Sequence, residues 1–250
     1  MNIELELKAC GLMPGSWKES LDSIRGWLSP LEWETFSRLH RNFVGYRSND
    51  TLNRFYGFVF SQNLQNEINR PRFGRLSGVL QILLEEIPPG LSILDIGAGS
   101  GLIATLLKRG RSPSPYVVQD ICKEARQFLS LQGFDVLTEP VPRVPAQKFD
   151  RIISVDSLGE VNADEDEFLS EASSLTEIEY SIMMEERYGL GLKLEGWKSY
   201  LKPNGRFFFW EPFKHARAWK TLENLLISSG WKVQLRCEST RQAYLELTLP

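Results

Sequence analysis

Cysteine and histidine are scarce in this chain of 250 residues, which holds three cysteines and two histidines. Cys10, Cys122 and Cys237 form no C-x-x-C pair, so we expect reduced thiols and neither a disulfide framework nor a zinc site. His40 and His215 lie far apart in sequence, which gives no histidine cluster for a metal ion. No metal site is therefore predicted.

Long apolar runs are also missing. No stretch approaches the ~20 apolar residues that a membrane-spanning helix needs. The first residues, MNIELELK, lack the basic region and apolar stretch of a secretory signal. We therefore expect a cytoplasmic protein without a membrane partner.

The charge balance is nearly even, with 29 basic and 32 acidic residues and a net charge of −3. Such a balance gives no overall field for nucleic acid. The hydrophobic content of 42% and the charged content of 24% are those of a globular protein. A chain of this length can bury one good core, with a small accessory layer beside it.

The first 88 residues show helical spacing without strand signals, and prolines 14, 30 and 71 interrupt them. Helices are predicted over residues 16–28, 31–43, 51–70 and 73–87. Ser29, Pro30 and Glu32 read as an N-cap, a first-turn proline and an early acid. We therefore expect an N-terminal helical cap, 1–88, ahead of a second domain, 89–250.

From Gly90 onwards, strand and helix patterns alternate. Strands are predicted near 91–96, 115–119, 134–137, 149–155, 205–211, 231–237 and 242–248, and helices near 101–109, 122–132, 190–201 and 215–229. This alternation predicts an α/β fold with a doubly wound, mainly parallel seven-stranded sheet. The last two strands are joined only by a turn, so they should form an antiparallel hairpin at the sheet edge.

Residues 92–101 read SILDIGAGSG, an apolar run that leads into three glycines at alternate positions. The residues that follow have helical spacing, so the segment predicts a strand, a tight glycine turn and a helix. Such a turn has no side chains to block a ligand and aims backbone N–H groups at it. A dinucleotide turn needs G-x-G-x-x-G, but Leu102 occupies its third glycine position. A nicotinamide cofactor is therefore disfavoured.

The pattern hydrophobic-hydrophobic-Asp-hydrophobic-G-x-G-x-G resembles the first motif of the class I S-adenosylmethionine (SAM)-dependent methyltransferases. The resemblance implies that the turn carries the methionine part of SAM and that the acid supports the turn and the amino group. It gives as cofactor-binding candidates Asp95, Gly97, Ala98, Gly99 and Gly101.

Later segments extend this resemblance to residues 90–248. PYVVQD ends in Asp120, 19 residues after Gly101, where a carboxylate can accept both ribose hydroxyls of the cofactor. Ile121 follows it in the predicted site.

Three further segments resemble later motifs of the family. FDRIISVDSLGEV, 149–161, resembles the fourth motif, in which Asp156 would line the methionine side. LKPNGRFFFW, 201–210, resembles the turn and fifth strand. The pair Glu139-Pro140 resembles the family's acid near the adenine amino group.

Methyl transfer from SAM is an in-line displacement, so the enzyme mainly aligns the acceptor with the methyl group. A general base helps only when the acceptor arrives protonated. The candidates are Glu160, Glu211 and His215. Each has a plainer alternative: Glu160 begins an acidic helix, Glu211 caps the next helix, and His215 lies on the surface. Glu160 stands where the family commonly has histidine, which leaves histidine-base chemistry without support.

Two charged segments depart from the neutral average. Residues 38–75 hold seven arginines against two acids, a local charge of +5, with aromatics between them. They predict a polyanion-binding surface, a lid that holds the SAM carboxylate, or an ordinary amphipathic layer. Residues 160–187 have a local charge of −9 and a helical apolar spacing, which predicts an acidic helical insertion over 160–188.

The expected function is thus SAM-dependent methylation, with S-adenosylhomocysteine (SAH) as the product form of the cofactor. A small-molecule acceptor is expected first. An RNA or protein acceptor, and a SAM-binding partner protein without turnover, are the alternatives.

Overall fold

The computed structural model describes residues 2–45, 49–138, 147–157, 190–212, 216–239 and 242–249, together with residues 176, 179 and 182. Its helices up to residue 86 are α1 (Ile3–Ala9), α2 (Trp17–Trp27), α3 (Pro30–Gly45), α4 (Asn49–Ser61), α5 (Gln65–Asn69), a 3₁₀ turn (Arg70–Arg72) and α6 (Phe73–Glu86). The helical character predicted for this part of the chain is confirmed.

From residue 93 strands and helices alternate as predicted. The strands are β1 (Ile93–Ile96), β2 (Tyr116–Gln119), β3 (Asp135–Leu137), β4 (Phe149–Val155), β5 (Leu201–Pro212), β6 (Lys232–Ser239) and β7 (Gln242–Thr248). The helices described here are α7 (Leu102–Arg111), α8 (Lys123–Leu131), α9 (Leu190–Ser199) and α10 (Ala216–Ser228).

The seven strands form one sheet with the order β3-β2-β1-β4-β5-β7-β6. Strands β1, β4 and β5 pair in parallel, whereas β7 is antiparallel to both β5 and β6. The doubly wound, mainly parallel sheet with an antiparallel last strand is confirmed. Within the predicted hairpin, β6 forms the edge and β7 lies inside the sheet.

Side-chain caps begin the early helices where the sequence indicated. The Ser29 hydroxyl and backbone N–H both donate to the carboxylate of Glu32, at 2.6 and 2.8 Å, just ahead of Pro30. Ser16 and Glu19 form a reciprocal capping box at the start of α2. Each cap satisfies backbone donors that a helix start leaves without partners.

The predicted helix over 51–70 is broken in the structure. Helix α4 ends at Ser61 because Asn63 adopts a left-handed conformation, with φ of 55°. The Leu64 N–H then donates to the Val59 carbonyl and the Asn63 N–H to the Phe60 carbonyl. This Schellman arrangement ends a helix, and asparagine tolerates the left-handed region that it requires.

The chain forms two compact units, Met1–Leu91 with Ala98–Val136, and Ser92–Gly97 with Leu137–Pro250. The first unit has an aromatic-rich core among its N-terminal helices, made of Ile24, Phe36, Phe43, Phe55, Val59, Leu64 and Ile68. In the same unit Phe60 of α4 packs with Cys122 and Ala125 at the start of α8. The early helices thus pack against the helix that follows β2.

The second unit has its core around β5. The ring of Phe207 meets those of Trp197 and Trp231 edge-on, at centroid distances of 5.4 and 5.8 Å. On the other face of β5, Phe208 stacks with Tyr244 of β7. Buried aromatic side chains therefore hold the strand whose carboxyl end carries Glu211.

Candidate functional site

The glycine turn follows β1 directly and opens α7. Gly97 has φ of +71°, and a Cβ placed there would overlap the Cβ of Ser157. A side chain at this position therefore has neither an allowed conformation nor space. Gly101, with φ of 70°, is the N-cap of α7.

Three backbone N–H groups of the turn donate within the protein. The Ala98 N–H donates to the Gln119 carbonyl at 3.1 Å, and the Gly101 N–H donates to the Ala98 carbonyl at 2.9 Å. The Gly99 N–H donates to Oδ2 of Asp120 at 2.8 Å. The Ala98 and Gly99 N–H groups thus fasten the turn to the end of β2, and the Gly101 N–H closes the turn on itself.

The carboxylate of Asp120 is held on both oxygens. Oδ2 accepts the Gly99 N–H and Oδ1 accepts the Cys122 N–H, each at 2.8 Å. Burial raises the pKa of Asp120, against hydrogen bonds from those two N–H groups and the nearby Arg126 cation, which lower it. Asp120 is 9% exposed and Ile121 beside it is 43% exposed. A fixed carboxylate at this place can accept further hydrogen bonds, including those of a ribose diol.

Cys122 lies next to this carboxylate but is not a reactive thiol. Burial, together with Glu124 and Asp120, raises the pKa of Cys122 to about 11. Because the thiolate is the nucleophile, a thiol with this pKa is inert near neutral pH. Cys122 is therefore a packing residue.

The second unit brings three predicted acids to one edge of its strands. In the β1–β4 register Asp95 is opposite Ile153, and in the β4–β5 register Val155 is opposite Trp210. Asp156 directly follows β4 and Glu211 is the next residue on β5, so they lie at the carboxyl ends of neighbouring parallel strands. This is the edge at which open α/β sheets bind ligands.

Asp156 has an uncommon backbone conformation, with φ of 55°. Its N–H donates to the Trp210 carbonyl at 2.9 Å. The Ser154 and Ser157 hydroxyls hydrogen-bond on either side of it. A non-glycine residue in the left-handed region is strained unless its neighbours impose it, and such positions cluster at functional sites. The sequence did not single out Ser157, although its small side chain is what fits beside Gly97.

Glu211 and Asp95 are both buried, with 1% and 3% exposure. Glu211 lies within β5, on the strand face that also carries Phe207 and Phe209. Glu139, Pro140, Glu160 and His215 lie outside the described residues. The same holds for the insertion over 160–188, apart from residues 176, 179 and 182. The Thr176 hydroxyl donates to the Glu179 carboxylate at 2.7 Å.

In the described parts of the chain, no group of three or more His, Cys, Asp or Glu could hold a metal ion. Within those same parts, no helix has the length and apolarity to cross a membrane.

Comparison with known proteins adds family information to this geometry. A family model described as "Methyltransferase domain" matches residues 68–236. No curated protein matches the chain at a significant level.

Solved structures share the fold at low sequence identity. A DhpI-SAM-HEP complex is 13% identical, with a TM-score of 0.54 over 77% of this chain and 94% of that chain. A chain in the complex between the Haloferax volcanii Trm112 methyltransferase activator and a methyltransferase is 12% identical, with a TM-score of 0.53 over 78% of this chain and 97% of that chain.

Proposed function

Since the chain belongs to the methyltransferase-domain family, with the class I Rossmann-like fold and SAM as methyl donor, we propose that it methylates a small-molecule acceptor. The observation that carries the proposal is the hydrogen bond from the Gly99 N–H to Asp120. It joins the glycine turn after β1 to the acid after β2, which are the two elements that the cofactor requires.

The residues around Asp120 fit the cofactor. Both oxygens of the Asp120 carboxylate already accept one N–H each and retain acceptor capacity for the two ribose hydroxyls. Hydroxyl donors would favour the ionised form and so offset the effect of burial on its pKa. Ile121, which is partly exposed, offers an apolar contact for the base.

Other predicted residues take their proposed roles from the family resemblance. Asp95 and Asp156 would serve the methionine side of SAM, and Glu139 and Pro140 the adenine side. When bound, SAM supplies a sulfonium-activated methyl group. The chain itself must align the acceptor and, for a protonated acceptor, accept its proton. We propose Glu211 for that task, with Glu160 and His215 as the further candidates.

The N-terminal helices, residues 1–88, are proposed to shape the acceptor side. Helix α4 packs against α8, with Gly57 so near Glu124 that an added Cβ would lie 3.2 Å from its carboxylate. Glu124 follows Asp120 by four residues. These contacts bring the early helices beside the proposed ribose acceptor.

Two arginines of the basic segment favour a small acceptor over a polyanion. Arg54 pairs with Asp50, and Arg70 pairs with Glu67, at 3.0 and 3.1 Å. Cations that are paired on their own helix offer less to phosphates than an unpaired basic surface does. An RNA or protein acceptor would contradict this part of the proposal.

Calorimetric titration with SAH tests the cofactor site. We expect one-to-one binding by the wild type and a Kd raised roughly ten- to a hundredfold by Asp120→Asn, since a hydrogen bond to a charged group contributes about 1.5–3 kcal/mol. The asparagine amide would also set an N–H donor against the N–H of Gly99 or Cys122. Asp22→Asn, at an exposed position of α2, is the matched control. Equal affinities for the two variants would refute the role of Asp120.

Transfer of a labelled methyl group from SAM, tested on separate pools of small molecules, RNA and protein, distinguishes the acceptors. Label in a small-molecule fraction is expected. Saturable SAH binding without transfer to any pool would instead support the partner protein without turnover.

A further inference from the structure

Arg126 on α8 holds the backbone of the proposed ribose-binding loop. Its Nη1 donates to the carbonyl of Asp120 at 2.7 Å and to the carbonyl of Ile121 at 2.8 Å. Two successive carbonyls thus converge on one nitrogen. This arrangement opposes rotation of the peptide between the two residues, a rotation that would redirect the Asp120 side chain.

Core packing of α8 fixes the backbone that carries Arg126. Arg126 follows Ala125 and precedes Leu129 on α8, and both of these side chains are fully buried. The helix therefore cannot turn without exposing apolar surface. The position of Arg126 is fixed by the core beneath it.

Helix chemistry alone does not explain an arginine at this place. Helix α8 begins at Lys123, so Arg126 lies in its first turn, where the helix dipole disfavours a cation. The two loop carbonyls are the partners that compensate. Positions at which a residue departs from the preference of its helix, and has specific partners instead, are expected at functional sites.

We propose that Arg126 is a positioning residue for the cofactor ribose: it fixes the Asp120–Ile121 backbone so that the Asp120 carboxylate meets both ribose hydroxyls. This inference rests on the proposed function, because it presupposes SAM at that carboxylate. Arg126 acts through Asp120 and does not itself touch the cofactor.

The positive charge of Arg126 also favours the ionised form of Asp120, which is the form that accepts hydrogen bonds from the ribose hydroxyls. It is the cation that lowers the pKa of the buried Asp120, against the effect of burial. The other titratable groups at the start of α8 are the Cys122 thiol of the N-cap, the Lys123 ammonium and the Glu124 carboxylate, and Tyr56 of α4 packs against the same cluster. Arg126 is the cation that lowers the pKa of Asp120 and so favours an ionised acceptor.

The test compares SAH with its 2′-deoxy analogue, which lacks one of the two hydroxyls. The wild type should prefer SAH. In Arg126→Met, which keeps the apolar stem and removes the donors, the Kd for SAH should rise about tenfold, while the Kd for the analogue changes less than about threefold. The preference for the 2′-hydroxyl therefore collapses, a result that a general loss of structure would not produce.

Two further variants keep the experiment decisive. Arg54→Met removes an exposed arginine of α4 and should leave both affinities unchanged. Arg126→Lys keeps the charge and a single donor group, so it should retain part of the preference for SAH over the 2′-deoxy analogue. If Arg126→Met does not fold, Arg126→Lys is the variant that tests the inference. Folding is checked by circular dichroism on each variant.

Equal losses for both ligands, or an unchanged preference in Arg126→Met and Arg126→Lys, would overturn the inference while SAH binding by the wild type still supports the proposed function. Absence of SAH binding by the wild type would overturn both. Binding without any preference for the 2′-hydroxyl would overturn the ribose role of Asp120 and, with it, that of Arg126.

Discussion

Gly97 combines two constraints that act on one backbone position. Its φ of +71° disfavours any L side chain, and its neighbour Ser157 occupies the space that a Cβ would need. Gly90, by contrast, has φ of +78° and nothing within 4 Å of an added Cβ. A comparison of substitutions at Gly97 and Gly90 therefore distinguishes the cost of backbone strain from the cost of steric overlap.

Gly97→Ala should lower the free energy of unfolding by about 3 kcal/mol or more, because strain and overlap with Ser157 add. Gly90→Ala should lower it by about 1 kcal/mol, from strain alone. Urea unfolding measures both. Gly97→Ala should also weaken SAH binding, and Gly90→Ala should not. Similar losses of stability for the two variants would show that Ser157 yields, and would refute the close-contact argument.

Sequence spacing predicted that Asp120 ends the second strand of a βαβ unit, and in the structure it follows β2 directly. The spacing could not show which N–H groups hold the carboxylate. The donors from Gly99 and Cys122 depend on how the turn after β1 meets the end of β2, a contact 21 residues apart in the chain. Arg126 was missed for the same reason, although an arginine in the first turn of α8 was a readable signal.

At the level of elements, a polar cluster joins the amino ends of three strands in the second unit. Oδ2 of Asp150 accepts the Ser92 hydroxyl at 2.5 Å and the Lys202 ammonium at 2.8 Å. Ser92 precedes β1, Asp150 lies on β4 and Lys202 on β5. The cluster lies at the opposite end of these strands from Asp156 and Glu211, so it serves the fold and not the site.

This cluster predicts a pH dependence of stability. Burial would raise the pKa of Asp150, but hydrogen bonds from Lys202 and Ser92 outweigh it and lower the pKa to about 2. A carboxyl with a lowered pKa in the folded state stabilises the fold above its ordinary pKa, near 4, and loses this effect as the pH falls towards 2.

Asp150→Asn should therefore lower the free energy of unfolding by about 1 kcal/mol at pH 6, a modest value because Lys202 is 44% exposed and water screens the pair. The difference from the wild type should shrink between pH 4 and pH 2. Chemical denaturation across this range measures it. A difference that stays constant with pH would show that the ionised carboxylate is not the stabilising group.

Element boundaries followed the sequence closely where apolar periodicity was strong, as at β4, whose observed bounds equal the predicted ones. They failed where a single residue decided the end. Asn63 ended α4 through a left-handed conformation, which propensity alone does not indicate. Strand β5 begins at Leu201, ahead of the predicted 205, and its register against β4 shifts between the pairs Phe149–Leu201 and Arg151–Arg206.

On the scale of the whole molecule, the class of sheet was the most predictable property, because alternating strands and helices favour a doubly wound, mainly parallel sheet. The acceptor is the least predictable one. Methyl transfer requires alignment of the acceptor with the methyl group. Because many side chains can provide this alignment, no fixed residue pattern identifies the acceptor. The net charge of −3 and the two arginines paired on their own helices, Arg54 and Arg70, are the features that favour a small acceptor.

Ligand binding should also be visible in the stability of the entire chain. A ligand that binds the folded state alone stabilises it by about 2.7 kcal/mol at a concentration of 100 times Kd. For a chain of 250 residues this corresponds to a rise in Tm of roughly 5–10 °C. Differential scanning calorimetry with SAH should show that rise for the wild type.

The same SAH concentration should raise the Tm of Asp120→Asn by at most about half as much. A tenfold weaker affinity leaves the ligand at 10 times Kd, where the stabilisation is about 1.4 kcal/mol. Asp22→Asn should show the full wild-type rise. Equal rises in the Tm of Asp120→Asn and of the wild type would mean that SAH binds without the Asp120 carboxylate. A smaller rise in Asp120→Asn alone would mean that this carboxylate contributes to the stabilisation of the whole fold by the ligand.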